Sequence, residues 1–150
     1  MDRRTGRTVG LLASLLVAAT PASAAEYALT CGGCHGAKGA GGPGAPRLAG
    51  RLGAAASTTE GRAYVAGVLL HGLTGPVVVD GRTVRSVMPA YGHLSDADIA
   101  ELLNQVLRLA PARRAPDFTE REIARQRRLG ARTPDAMAMA RRRLRPIPGF

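Results

Sequence analysis

The sequence has no tryptophan, two phenylalanines and three tyrosines among 150 residues. Large rigid side chains of that kind usually fill a protein core, so their scarcity leaves a place in the interior for something else. Lysine is nearly missing too: Lys38 is the one lysine among 21 basic residues, and the formal net charge is +10. That charge favours acidic partners or anionic surfaces. A nucleic-acid role is disfavoured, because few aromatics are interleaved with the arginines. Cysteine occurs only twice, at Cys31 and Cys34. A bridge between residues three apart closes too small a loop to stabilise a chain much, which excludes a useful structural disulfide. The length suits one ordinary domain with additions, not two well-packed ones, and no internal repeat is visible.

Long apolar runs are also scarce, with one exception near the start. Arg3, Arg4 and Arg7 precede the run from Val9 to Thr20, and Pro21 is followed by Ala22-Ser23-Ala24. A positive segment, a short apolar run and a small-residue site are the parts of a secretory signal peptide, so residues 1–24 are expected to be removed and the mature chain to begin at Ala25 or Glu26. The run falls short of the ~20 residues that span a bilayer, which argues against an anchor. The residues flanking Arg3-Arg4 fit the general secretory route better than the twin-arginine one. Loss of three arginines and one aspartate with this leader takes the charge from +10 to +8. The expected location is the bacterial periplasm, an oxidising space.

Beyond the leader, Glu26 to Thr30 suits the last turns of a helix running into the cysteines. The glycine-rich stretch from Gly36 to Gly53, with Pro43 and Pro46, predicts a loop. Tyr64, Val65, Val68 and Leu69 fall at helical spacing within Thr59 to His71, and Gly72 stops that helix. An irregular crossing follows, with turns at Gly75-Pro76 and Asp80-Gly81, a short extended piece at Val77 to Val79, and then Met88-Pro89. Helix resumes after Ser95, which forms a capping box with Asp98, and Ile99, Leu102, Leu103, Val106 and Leu107 line one face up to Pro111. The tail, 112–150, is a basic arginine-rich extension with two helical candidates, one capped by Thr119 with Glu122 three residues on, the other begun by Thr133-Pro134. Arg121, Arg125, Arg128 and Arg132 are expected to share one solvated helical face.

Two thiols and an imidazole crowd into Cys31-Gly32-Gly33-Cys34-His35. A zinc site needs four ligands, and the remaining histidines, His71 and His93, lie far apart with no third partner. A redox CxxC belongs at a helix start in a βαβ setting, and none surrounds Cys31. Thiols at i and i+3 can instead reach the two vinyl groups on one edge of a porphyrin, while His35 brings an imidazole nitrogen to its iron; C-x-x-C-H reads as c-type haem attachment. One covalently held haem c also supplies the apolar bulk that the aromatics do not.

With these residues in place, the chain from Tyr27 to about Val106 resembles the class I c-type cytochromes, and especially the cytochrome subunits and domains that serve periplasmic dehydrogenases and oxidases. The resemblance rests on YALTCGGCHG, GGPGAPRLAGR, LLHGLTGPVVVDGR and VMPAYGHLSDADIAELLNQV, in that order. It implies an all-α cytochrome c fold, a small helical domain over 25–111 wrapped around one haem. It implies thioethers at Cys31 and Cys34, His35 and Met88 as the axial ligands, and the Pro46 carbonyl holding the other ring nitrogen of His35. Ser95 to Leu109 is expected to cross the N-terminal helix at Tyr27 to Cys31. Val84-Arg85-Ser86-Val87 stands where relatives often carry Tyr-Asn, and Gln105 replaces a customary aromatic. Arg85 is near enough to Met88 in sequence to raise the potential or meet a haem propionate.

The setting of Met88 supports the sixth-ligand role, since it sits in an irregular segment stiffened by Pro89, and a thioether stabilises reduced iron. His71, at a helix C-terminus, suits an imidazolium cap. Met137 and Met139 are expected to pack, and His93 to face solvent. With both axial positions filled, the expected function is single-electron transfer between redox partners, not catalysis: an exported monohaem carrier or an electron-transfer subunit of a larger oxidoreductase. The expected partners are a periplasmic dehydrogenase, an oxidase or another cytochrome with an acidic docking surface. Membrane association is expected only through a partner or an uncleaved signal. The alternative is a five-coordinate haem enzyme or gas-ligand sensor, which follows if Met88 does not bind iron.

Overall fold

The computed structural model describes residues 27–110 and 115–144. The expected leader, and the expected boundary after Pro111, lie outside the described residues. Helix begins as a π-helical segment, α1 (Ala28–Gly32), and runs on as α2 (Gly33–His35). It therefore passes through both cysteines instead of ending before them. α3 (Leu52–Ala56) emerges from the end of the stretch expected to be loop. There Gly61 lets the next helix approach closely: a Cβ on it would collide with the Ala55 carbonyl.

α4 (Thr59–His71) has the expected bounds. Thr58 caps it by accepting from the Gly61 N–H, and the Gly72 N–H closes it on the Val68 carbonyl. The crossing segment contains a small antiparallel hairpin, β1 (Val77–Val79) and β2 (Arg82–Val84), with Val77 opposite Val84. Asp80 and Gly81 both take positive φ, the geometry that two-residue hairpin turns need to match strand twist. Val77, Val79 and Val84 form a small apolar cluster of their own.

α5 (Asp96–Arg108) is capped by Ser95, whose hydroxyl accepts from the Asp98 N–H and donates to the Asp98 carboxylate. Its apolar face buries Ile99, Leu102, Leu103 and Val106. At its far end the Gln105 side-chain oxygen accepts from the Tyr27 N–H at 3.2 Å, within the core. The polar residue in the customary aromatic position thus ties the N-terminal helix to α5.

Both tail helices form where expected: α6 (Glu120–Arg128), capped by Thr119, and α7 (Pro134–Arg143), capped by Thr133 with Pro134 in its first turn. α6 packs on α4 and α5, and α7 packs on α4. Ile123 and Met137 are fully buried and belong to the same core as α5, each worth about 1.5–3 kcal/mol of burial. Met139 is exposed, not packed, because it falls on the outer face of α7. Arg121, Arg125 and Arg128 are exposed on α6, but Arg132 lies beyond it, since the helix stops at Leu129 and Gly130 turns the chain at positive φ.

Candidate functional site

Cys31, Cys34, His35, Pro46 and Met88 all border one cavity. Its walls are mostly apolar, with Leu52, Val65, Leu69, Leu102 and Val106 among them.

Both cysteines are free thiols, Cys31 buried and Cys34 exposed. Burial, and after it the nearby Cys34, pushes the Cys31 thiol up to about 11. Such a thiol stays protonated at neutral pH, unlike the depressed thiolate of a redox dithiol. Among the described residues, no three His, Cys, Asp or Glu side chains converge as a metal cluster.

His35 is buried at the end of α2, and its Nδ1 lies 2.8 Å from the Pro46 carbonyl oxygen. A carbonyl can only accept, so Nδ1 carries the proton and Nε2 is left with its lone pair as a donor to a metal. The loop that brings Pro46 there is held to α2 by the Gly41 N–H, which donates to the His35 carbonyl at 2.8 Å. Tyr27 adds a second tie, its hydroxyl donating to the Gly36 carbonyl at 3.0 Å.

Met88 is half-buried and pairs with Leu73 through two backbone hydrogen bonds of 2.9 and 3.0 Å. Two residues earlier, the Ser86 hydroxyl donates to the Gly44 carbonyl, so the methionine segment is tied to the loop of Pro46. Tyr91 reaches from beyond the methionine to the other side of the site, its hydroxyl donating to the Thr30 carbonyl at 3.0 Å.

Two free thiols, a lone-pair nitrogen and a thioether around an apolar cavity are a donor set that fits a covalently attached haem. Residues weighed as rivals lie elsewhere. His71 does not border the cavity. Burial first, then Arg132 and Arg127, lowers its pKa, which favours the neutral ring over the expected imidazolium cap. His93 is exposed beside Tyr91, with ring centroids 6.2 Å apart.

Arg85 is exposed and does not border the cavity. Among the described residues, the arginines that do are Arg51 and Arg141, with Tyr64 also in the lining. Sequence reasoning passed over all three. Arg51 sits in the quoted loop motif and could have been weighed there, but in the run Arg141-Arg142-Arg143 nothing singles out the first.

The family model described as cytochrome C oxidase, cbb3-type, subunit III, matches residues 18–104. Cytochrome c-552 of Thermus thermophilus is 37% identical over 59 residues, which is 39% of this chain and 45% of that protein. A second cytochrome c-552, from one particular strain of the same species, is also 37% identical over 59 residues, covering 40% of that protein. The chain thus spans less than half the length of these curated relatives.

Proposed function

From the premise that the chain belongs to the c-type cytochrome family of the cbb3-type oxidase subunit III, we propose that it relays single electrons with His35 and Met88 as the axial ligands of its one haem c. When bound, the haem supplies a one-electron iron couple; the protein supplies attachment, ligands and surroundings. Cys31 and Cys34 hold the group, and Pro46 orients His35. The observation that carries this reading is the meeting of His35, hydrogen-bonded to Pro46 at 2.8 Å, and Met88 at one cavity with both cysteines. Were His35 and Met88 both to bind the iron, they would leave it no open position for a substrate, which favours a carrier over an enzyme.

The working site in this reading is the periplasm, after export and cleavage following Ala24. Redox proteins with acidic docking faces suit the exposed Arg121, Arg125, Arg128, Arg142 and Arg143. A periplasmic dehydrogenase, an oxidase or another cytochrome answers that description.

The test is carbon monoxide binding after reduction, together with the reduction potential, for the parent, Met88→Ala and His71→Ala. Met88→Ala keeps its haem, because the thioethers and His35 are untouched, but gains carbon monoxide binding and loses potential. His71→Ala changes neither by much. A parent that binds carbon monoxide as readily as Met88→Ala does would replace the carrier by a ligand-binding haem enzyme or sensor.

A further inference from the structure

We propose that Arg127, from the tail helix α6, is a positioning residue for Met88: it clasps the segment that follows the methionine, and so keeps the sulfur seated at the cavity and other ligands off the iron. This rests on the haem reading above. α6 lies wholly beyond residue 104, where the family match ends, so the clasp belongs to this chain's own extension.

From Pro89 to Leu94 the chain has neither helix nor strand. A segment of that kind opens locally at little cost unless side chains tie it down. Tyr91 ties it on the inner side, its N–H donating to the Leu69 carbonyl at 2.7 Å and its hydroxyl to the Thr30 carbonyl at 3.0 Å. Gly92 lies against the end of α4, where a Cβ on it would come within 2.8 Å of the Leu70 carbonyl oxygen. Arg127 closes the segment from the outer side. Its Nε donates to the Asp96 carboxylate at 2.8 Å, its Nη2 to the Leu94 carbonyl at 2.8 Å and its Nη1 to the Gly92 carbonyl. One planar group thus fixes the turn at Gly92–Leu94 against the first residue of α5.

The guanidinium is aimed by packing: Ile123, one turn earlier on the same face of α6, is fully buried in the core. The Arg127–Asp96 pair is itself half-buried. Charge-assisted hydrogen bonds are the stronger kind, and a forked guanidinium meets several acceptors where an ammonium cannot. On the other side of the methionine, Asp135 of α7 accepts from the Thr74 hydroxyl at 3.2 Å. Thr74 follows Leu73, the backbone partner of Met88, so both tail helices bear on the methionine's neighbours. A ligand that needs the methionine's position must wait for this segment to open. Its apparent affinity is then its affinity for the open form scaled by the fraction open, and loss of the clasp raises that fraction.

The experiment measures carbon monoxide affinity of the reduced, haem-loaded full chain for the parent, Arg127→Gln, Arg127→Lys, Arg108→Gln, Met88→Ala and the double variant Met88→Ala/Arg127→Gln. Arg127→Gln is expected to raise the affinity about tenfold, and to weaken the red-end sulfur band of the oxidised protein while the haem stays attached. Arg127→Lys, which keeps the charge opposite Asp96 but not the fork, should fall between. Arg108→Gln removes the same charge and an exposed 2.7 Å ion pair with Glu101, and should match the parent. In the Met88→Ala background Arg127→Gln should add nothing, because the clasp acts through the methionine. Parental affinity in Arg127→Gln, an equal rise in Arg108→Gln or a further rise in the double variant overturns the proposal. If Arg127→Gln does not fold, Arg127→Lys decides: a raised affinity supports the clasp, and a parental one overturns it. Failure of the ligation reading shows separately, as a parent that binds carbon monoxide as readily as Met88→Ala.

Discussion

Met88 reaches the cavity because Gly72 lets another stretch of chain lie against it. Gly72 has φ of 76° and ψ of −178°, a region essentially restricted to glycine. A Cβ there would lie 2.7 Å from the Met88 carbonyl oxygen and 3.1 Å from the Ala90 nitrogen. Gly72→Ala is therefore expected to cost ~1–3 kcal/mol in backbone strain alone, and to displace the methionine segment as well. In the oxidised haem-loaded protein the weak red-end band from sulfur ligation should fade while the haem stays attached. A variant with parental stability and an unchanged band would show that the methionine does not depend on this crossing. His35 owes its orientation to an equally local cause, the Pro46 carbonyl at 2.8 Å.

One arginine of α4 helps to hold α6 and the segment before it to the body of the protein. Arg62 meets both oxygens of Glu122 at 2.7 Å, donates to the carbonyls of Ala56, Pro116 and Asp117, and lies 4.1 Å above the Phe118 ring. Asn104 of α5 clamps the Phe118 backbone from the other side, with bonds of 2.7 and 3.0 Å. The Arg62 hydrogen bond is the chief reason that the Glu122 carboxyl is held below its ordinary value of 4.5. A depressed carboxyl stabilises the fold fully above its unfolded value and loses that contribution as pH falls through the folded one. Thermal melts from pH 7 to pH 3 should therefore show the parent more stable than Glu122→Gln at neutral pH, with the gap closing below about 4.5. A gap that stays constant across that range would mean that the ion pair contributes nothing specific. Arg62→Ala removes the whole clasp and should cost ~2–4 kcal/mol, since the Glu122 carboxylate and the Ala56 carbonyl it leaves are partly buried.

For the molecule as a whole, the cavity sits where a core of this size would otherwise be filled. α5 supplies Leu102, Leu103 and Val106 to its wall, and α4 supplies Val65, Val68 and Leu69. Without a haem these side chains lose their apolar partner. Cys31→Ser or Cys34→Ser should sharply lower the yield of loaded protein, and His35→Ala should abolish normal attachment and leave little folded chain. A normal folded yield of haem-free His35→Ala would show that the helices close a core unaided. Intact mass of the exported product should be that of a chain starting at Ala25 or Glu26 plus one haem. A membrane-bound product retaining Val9 to Thr20 would mean that the leader is an anchor.

What the sequence determined alone is the chemistry that neighbours can express. Cys31, Cys34 and His35 are adjacent along the chain, and α4 could be bounded from Thr59 to His71 because its apolar spacing and its Gly72 stop are local signals. The tail helices were legible for the same reason, through Thr119 and Thr133. The hairpin partner strand Arg82–Val84 was not, because pairing depends on a contact and not on composition. Tertiary structure alone decided that Gln105 serves as an acceptor for Tyr27, and that Met137 is buried while Met139 is exposed. It also decided which arginine of three consecutive ones turns inward. Arg141, Arg142 and Arg143 are identical as letters, and only the seating of α7 against α4 points the first at Arg51 and Tyr64, because helix rotation about its axis is set by packing and not by the residues' own preferences.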